Sequence, residues 1–567
     1  MHSSMRGTLC LLWTFLAVLP LSAQVRTETL IHTFDEGQAK AAAGESARQS
    51  APIALGVAGP PFVAVTAILH YAGPVDEATR IWLQASADGR SWDQWIEVQA
   101  DPHIEAKANR LYGNLVFFPA AAHYLRYRLS PPADQARPLE LRLDIINPGS
   151  SAPVLDAAPR RAQRIAAAGA EPYALPDYVP RRNWGAKLGL EDTSSHMTPI
   201  SVTHLWVHHS AGQTNSRDFA AVVRTYFTYH TQTHGWADIG YNWLVDPGGT
   251  LYQGRAFHRH STSGAITMDV QGAHARGANS RSIGVCMIGD YTAQMPRETG
   301  LRKFVELFAW KARQMPLDVL SKGSINGRGY DIVSGHRDIS STACPGDTFY
   351  PYLPVLRQRV HALLYPPIVA DLEARVDSQE TAAAQLSATV DPQGSRTVWY
   401  FEYGTHAGLI DPAATAAEEL QAPGAGPSPV QARLYGLGEE TTYYYRLVAV
   451  NSDTLTHSAV QQFAARQTTL VKPGSSGPRP QTLSLSANYP NPFNASTQIP
   501  FSLPSPREVQ LSIYDVLGRE IAVLAAAYYA AGEHLVSFHP DRLPSGIYIY
   551  RLRAGNETRS RTMLLLK

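Results

Sequence analysis

Through most of this chain apolar and polar residues alternate with period two, and the alternation is broken once, between about residues 170 and 367, where helical stripes interleave with short apolar runs. Period two marks strands half-buried in a sheet, and a period near 3.6 marks amphipathic helices. The pattern therefore confines the chain to β modules flanking one central α/β domain. With 567 residues it exceeds a single core, since domains run to roughly 100–200 residues each.

The β modules are separable by composition. Residues 24–150 contain "FVAVTAILHY", "TRIWLQASAD", "HYLRYRLS" and "LELRLDII" between Gly, Pro and Asp clusters, which predicts a β-sandwich. Its "ADGRSWDQWIEV" stretch fits either a carbohydrate-binding module or a spacer domain with Trp92 and Trp95 buried. An Ala/Arg-rich linker covers 151–175. A second β module spans 368–467, a Pro/Gly/Ser linker with "KPGSSGPRPQ" spans 468–484, and a last β module spans 485–567.

The first 23 residues place Arg6 before an apolar run too short to span a bilayer comfortably, followed by Leu21-Ser22-Ala23, so they read as a signal peptide and leave a mature chain with no transmembrane span. Lys and Arg total 49 against 48 Asp and Glu, which gives no electrostatic case for nucleic acid or an anionic membrane surface. Three cysteines, Cys10, Cys286 and Cys344, are too few for a disulfide framework, and cleavage of the leader would remove Cys10.

The central domain, 176–366, carries the chemistry. Eleven of the chain's 20 histidines fall between residues 170 and 367 (positions 196, 204, 208, 209, 230, 234, 258, 260, 274, 336 and 361). Its elements read as a strand "HLWVHHSA", a helix with Phe219, Val222, Val223, Tyr226 and Phe227 on one stripe, two strands around a Pro-Gly-Gly turn in "YNWLVDPGGTLYQGR", and a buried strand "SIGVCMIGDY". A helix with Leu301, Phe304, Val305 and Phe308, a short strand "IVSGHRD" and a final helix "YLPVLRQRVHALL" follow. The segment "AFHRHSTSGAITMDVQ", with His258 and His260, reads as a solvated loop.

A catalytic zinc takes three protein ligands and keeps a fourth position for water. The adjacent His208 and His209 supply imidazole, and "GHRDISSTACPG" supplies His336 and Cys344, whose separation of eight suits a strand end and a returning loop capped by Pro345. A zinc-held thiolate is unavailable for a disulfide, so Cys344 and Cys286 are expected unpaired, Cys286 being a small buried hydrophobe.

Five blocks in order, "RRNWGAK", "WVHHSAG", "ADIGYNWLVDPGGTLYQGR", "GAHARGANSRSIGVCMIGDY" and "GHRDISSTACPG", resemble the zinc-dependent N-acetylmuramoyl-L-alanine amidases, whose fold is shared by phage amidase-type lysozymes and peptidoglycan recognition proteins. The resemblance implies Zn2+ on His208, His336 and Cys344, with His209 turned to the opposite face as a strand neighbour. It implies catalytic roles for Tyr241 and Thr342 as donors to an oxyanion, and a peptidoglycan or muropeptide substrate cut between N-acetylmuramic acid and L-Ala. Arg255, His274, Asn279 and His209 enter as substrate-binding candidates. The alternative for His274 is a structural hydrogen bond that holds its loop, and Arg255 fits equally an ion pair within the fold. The rival readings are a peptidoglycan-binding recognition protein without catalysis and a zinc-stabilised scaffold. Recognition-only members often lack the cysteine ligand, which this chain keeps, and a structural zinc usually has four protein ligands.

Two further resemblances complete the plan. "YGLGEETTYYYRLVAVNS" resembles the later strands of a fibronectin type III domain, with Leu437 and Tyr443 at core positions. "LSANYPNPFNASTQIPFSLP", "VQLSIYDVLGREI" and "LPSGIYIYRLRAG" resemble the C-terminal sorting domain read by the type IX secretion machinery, which implies a secreted or cell-surface product. The expected fold class is thus multidomain: a central α/β amidase domain, its mixed sheet flanked by helices, with an N-terminal β-sandwich, a fibronectin type III-like β-sandwich and a C-terminal β-sandwich sorting domain.

Overall fold

The computed structural model describes residues 24–34, 48–73, 79–101, 104, 109–130, 138–151, 175–212, 216–259, 267–376, 383–420, 426–435, 437–438, 440–465, 482–494, 497–516, 518–529, 531–540 and 543–566. The leader, most of both linkers and the segment holding His260 lie outside these residues. The chain forms two compact units, Met1–Arg357 and Gln358–Lys567.

The first unit opens with two five-stranded sheets. One joins Arg26–Thr33, Pro138–Asn147, Phe62–Tyr71, Arg110–Tyr112 and Val116–Pro119; the other joins Arg48–Gln49, Ile53–Ala54, Ile81–Ser86, Ile96–Glu97 and Tyr124–Leu129. Alternation does the work expected of it: in Tyr124–Leu129 every second residue, Leu125, Tyr127 and Leu129, enters a core shared with Val63, Val65 and Leu69 of the opposite sheet.

The layer that follows is a six-stranded mixed sheet. Its strands are β1 (Tyr178–Val179), β2 (His204–His209), β3 (Trp243–Val245), β4 (Leu251–Gln253), β5 (Ser282–Met287) and β6 (Val333–Gly335), in the order β1-β4-β3-β5-β2-β6. β2 pairs parallel with both β5 and β6, which brings His208 beside Cys286 and Val207 beside Gly335. All six residues of β2 are buried, as a central parallel strand covered on both faces requires.

Helix α1 (Phe219–Thr228) is capped by Asp218, whose carboxylate accepts the Ala221 N–H at 2.9 Å. It departs from the single apolar stripe expected. Arg224, Thr225 and Thr228 are buried as well, because the N-terminal sandwich covers its outer side. Phe62, Ala64, Leu115 and Ile146 of the sandwich share one core with Trp184, Val222, Val223, Tyr226 and Tyr229. Arg224 satisfies its buried guanidinium on the carbonyls of Pro148 at 3.0 Å, Gly149 at 2.6 Å and Trp184 at 2.8 Å. The helix ends in a π-helical turn, Tyr229–Thr233. Helix α2 (Glu298–Gln314) buries Leu301, Phe304, Val305 and Phe308 as its periodicity predicts, and α3 (Leu353–Leu364) is the last helix.

The segment expected to be a solvated loop is partly strand: Phe257–Arg259 pairs antiparallel with Thr267–Met268 and parallel with Thr193–Ser194. His258 Nδ1 lies 2.8 Å from the Met197 carbonyl oxygen. The backbone found edge partners in a segment upstream that carries no strand pattern of its own.

In the second unit, Ile368–Val376, Ala384–Asp391 and Ser428–Leu434 form one sheet, and a second is built on Val398–Gly404 and Thr442–Val450. Leu437, Trp399 and Tyr445 are in their common core, while Tyr443 packs at its edge. The C-terminal strands make a three-stranded and a four-stranded sheet around Ile499, Phe501, Leu511, Ile513, Tyr550 and Leu552. No helix among the described residues is long and apolar enough to cross a membrane.

Candidate metal centre

Three donors converge at the C-terminal end of β2. His208 is its fifth residue, His336 opens the 3-10 turn His336–Asp338 directly after β6, and Cys344 returns on the following loop. Because β2 and β6 are adjacent and parallel, both histidines emerge at the same sheet edge. The ligand atoms of His208, His336 and Cys344 lie within 4.8 Å of one another, and all three residues are buried. His208 and His336 have ring centroids 4.7 Å apart, and His208 Nδ1 stands 3.7 Å from Cys344 Sγ.

The loop is braced for this. Asp338 accepts the Gly335 N–H at 2.8 Å and the Tyr350 hydroxyl. Arg337 donates its main-chain N–H to the Cys344 carbonyl at 3.0 Å and pairs with Asp347 at 2.8 Å. Thr342 Oγ1 accepts the Cys344 N–H at 3.1 Å.

The donor set suits a metal. Burial pushes the Cys344 thiol well up, while the His209 N–H, 3.4 Å from the sulfur, and the positive charge of Arg337 pull the other way. A buried thiolate needs a compensating charge, and two imidazoles with one sulfur form the donor set that a borderline-soft divalent cation such as zinc favours.

His274 completes the inner arrangement. Its Nδ1 lies 3.0 Å from His208 Nε2, so that His208 presents one nitrogen to the sulfur and the other to His274. The His274 ring occupies space that a side chain at two glycines would need: a Cβ at Gly284 would stand 2.2 Å from its Cγ, and one at Gly272 2.4 Å from its Cδ2. Asn279 Oδ1 accepts the His274 and Ala275 N–H groups, each at 2.9 Å, and so clasps the loop. Asn242 ties the same loop to the sheet, donating to the Val270 carbonyl at 2.8 Å and accepting the Gly284 N–H at 2.9 Å.

Tyr241 lies against His208 with ring centroids 5.6 Å apart. It is only 2% exposed, and burial raises its phenol well above the ordinary range, which favours the neutral form.

Of the residues singled out from the sequence, the structure thus gathers His208, His336, Cys344, His274 and Tyr241, with Thr342 on the cysteine loop. The others engage the protein itself. Arg255 donates to the carbonyls of Ile239 at 2.8 Å and Gln271 at 3.0 Å, joining the loops that flank Tyr241 and His274. His209 turns to the opposite face, where its Nδ1 accepts the Tyr291 N–H at 3.2 Å. Cys286 and Cys344 are not joined in a disulfide, as expected. Sequence reasoning passed over Asn242 and the glycines at 272 and 284; the only signal for them is their place beside Tyr241 and within the "QGAHARGAN" and "SIGVC" runs.

Residues 198–347 match the family model described as N-acetylmuramoyl-L-alanine amidase, and residues 487–565 match that described as secretion system C-terminal sorting domain. The chain is 33% identical over 174 residues to peptidoglycan-recognition protein SC2 of Drosophila simulans, covering 30% of this chain and 82% of that protein. It is 33% identical over 182 residues to the N-acetylmuramoyl-L-alanine amidase of Homo sapiens, covering 31% of this chain and 28% of that protein. Among solved structures it is similar to wild-type PGRP-LB of Drosophila, with 26% identity, a TM-score of 0.25, and coverage of 31% of this chain and 92% of that one.

Proposed function

Since the chain belongs to the family of N-acetylmuramoyl-L-alanine amidases and peptidoglycan-recognition proteins, we propose that it is an exported zinc hydrolase that cleaves the amide between N-acetylmuramic acid and L-Ala in peptidoglycan. The observation that carries the catalytic reading over simple recognition is the convergence of His208, His336 and Cys344 within 4.8 Å, cysteine included.

On this reading His208, His336 and Cys344 hold the zinc, which when bound supplies Lewis acidity to polarise the amide carbonyl and acidify a water. His274 orients the His208 ring through its 3.0 Å contact, and such partners govern ligand orientation and basicity. Tyr241, neutral because it is buried, donates its phenolic proton to the oxygen on which charge develops. It is a poor general base for the same reason. Thr342 Oγ1 already accepts the Cys344 N–H, which leaves its own proton to donate to the same oxygen. Arg255 and Asn279 hold the cleft loops in place for the peptide stem.

The sorting domain supports export, and we assign its route to the type IX machinery, preceded by cleavage of the 1–23 leader. The β module of residues 368–467 is read as a fibronectin type III-like spacer, with Leu437 and Tyr445 in its core.

Digestion of purified peptidoglycan, scored for both kinds of end group, tests the reading. Free L-Ala amino termini are expected without new reducing sugars; reducing ends alone would indicate a glycosidase and overturn it.

A further inference from the structure

The N-terminal sandwich reaches the approach to Tyr241 through one buried carboxylate. Asp101 is 6% exposed, and its Oδ2 accepts a hydrogen bond of 2.5 Å from the Tyr229 hydroxyl. The same oxygen stands 3.4 Å from His234 Nε2. Burying a carboxylate is costly unless hydrogen bonds compensate it, and these two partners come from the catalytic layer rather than from the sandwich. Tyr229 and His234 bracket the π-helical turn Tyr229–Thr233, an irregularity that needs outside support to persist and that recurs at functional sites.

The turn leads to the site. His230, next to Tyr229, accepts the Gly240 N–H on its Nδ1 at 3.2 Å. Its ring stacks on Trp236 with centroids 4.7 Å apart and meets the Tyr241 ring edge-on at 5.7 Å. Gly240 has no slack, since a Cβ there would lie 2.8 Å from the Trp236 ring and 2.7 Å from the Ala273 carbonyl oxygen. A shift of the turn therefore passes to residues 240 and 241. The sandwich also braces the end of β2: Asn114 donates to the Ser210 carbonyl at 3.1 Å, and a Cβ at Gly212 would approach Phe117 to 3.0 Å.

We propose that Asp101 is a positioning residue for hydrolysis: from the N-terminal sandwich it fixes the Tyr229–His234 turn and, through His230 and Gly240, the phenol of Tyr241. The N-terminal module is on this account part of the hydrolytic apparatus and not a spacer. The inference rests on the amidase reading, in which Tyr241 donates to the reacting carbonyl.

The test uses the full chain with Asp101→Asn, Tyr229→Phe and the double variant. It measures kcat and KM on peptidoglycan, zinc content, thermal unfolding, and hydrogen exchange over residues 234–241. A misplacement of about 1 Å remote from the chemistry costs up to roughly 100-fold, so Asp101→Asn should lower kcat by about 10- to 100-fold while KM and zinc content hold. Tyr229→Phe should do the same, the double variant should be no worse than either single one, and exchange over 234–241 should quicken in all three. Wild-type kcat in both single variants would overturn the proposal. So would a loss that only follows the unfolded fraction, with folded, zinc-loaded enzyme retaining full kcat. Should Asp101→Asn fail to fold, Tyr229→Phe, which removes a single oxygen, decides by the same criteria. A wild-type chain that releases no L-Ala termini refutes the amidase reading instead; the exchange measurement still reports on the coupling, and unchanged exchange in Tyr229→Phe would then refute that too.

Discussion

Gly284→Ala isolates the packing that presses His274 against His208. The backbone at 284 tolerates alanine, so the perturbation is the methyl group alone, placed 2.2 Å from His274 Cγ and 2.5 Å from Cδ2 and Nδ1. Ordinary contact begins near 3.4 Å, and the ring must retreat by about 1.2 Å. It has little room, because Gly272 abuts it and Asn279 clasps its backbone. A displacement of that size is large against the 3.0 Å separation of the His208 and His274 nitrogens and should spoil that contact's geometry. Overpacking should cost about 1–3 kcal/mol in stability. If His208 holds the metal as proposed, loss of its partner should lower zinc affinity or turnover by roughly 10- to 100-fold. Zinc content at limiting free metal, release of L-Ala termini and thermal unfolding measure all three quantities. His274→Ala should show the functional loss without the clash, and the double variant should regain stability while activity stays low. Wild-type stability and turnover in Gly284→Ala would refute the reasoning, as would a double variant no more stable than Gly284→Ala alone.

Cys344→Ser should lower zinc content and turnover steeply, because a hydroxyl is a poor replacement for thiolate; full zinc and full activity would remove the ligand assignment. Cys286→Ser, on the adjacent strand, should cost only about 1–3 kcal/mol in stability with zinc retained. Tyr241→Phe should cut turnover by roughly 100- to 1,000-fold with zinc still bound. Since burial raises the phenol and so favours its protonated form at neutral pH, the pH–rate profile of Tyr241→Phe should keep its shape around neutrality. Disappearance of an alkaline limb would mean that Tyr241 titrates and acts as more than a donor.

The three candidate metal donors were legible through the five family blocks that carry them; histidines and a cysteine at that spacing would not by themselves have singled them out, since most lone histidines serve the core or the surface. Helix α2 was legible because its apolar stripe meets the core, although Lys311 is buried as well, paired with Asp269 at 2.7 Å. The stripe of helix α1 was legible in the same way, but its second buried side was not, since Arg224 looks like a solvent-facing residue until Pro148, Gly149 and Trp184 offer their carbonyls. The same limit hid Asp101, 128 residues from its partner Tyr229, in a segment whose local pattern speaks only of strand and turn. Asn279 and Arg255 sit where a cleft loop would put substrate contacts, and only the folded chain reveals that they bond main-chain atoms of those loops. Glycines 272 and 284 carry no chemistry of their own, and their meaning lies in the ring that fills the space beside them.

The core that joins Phe62, Leu115 and Ile146 to Val222, Tyr226 and Tyr229 has a consequence for how such a chain changes by descent. A break in composition near residue 151 invites a cut there, as though one exon-like block could be exchanged for another. A recombination event at that place would separate Leu115 from Tyr226 and Asp101 from Tyr229, leaving an oily helix flank open to water in one offspring and a stranded carboxylate in the other. Offspring that survive would inherit both blocks together, or would repaint the flank of α1 with polar residues before parting with the sandwich.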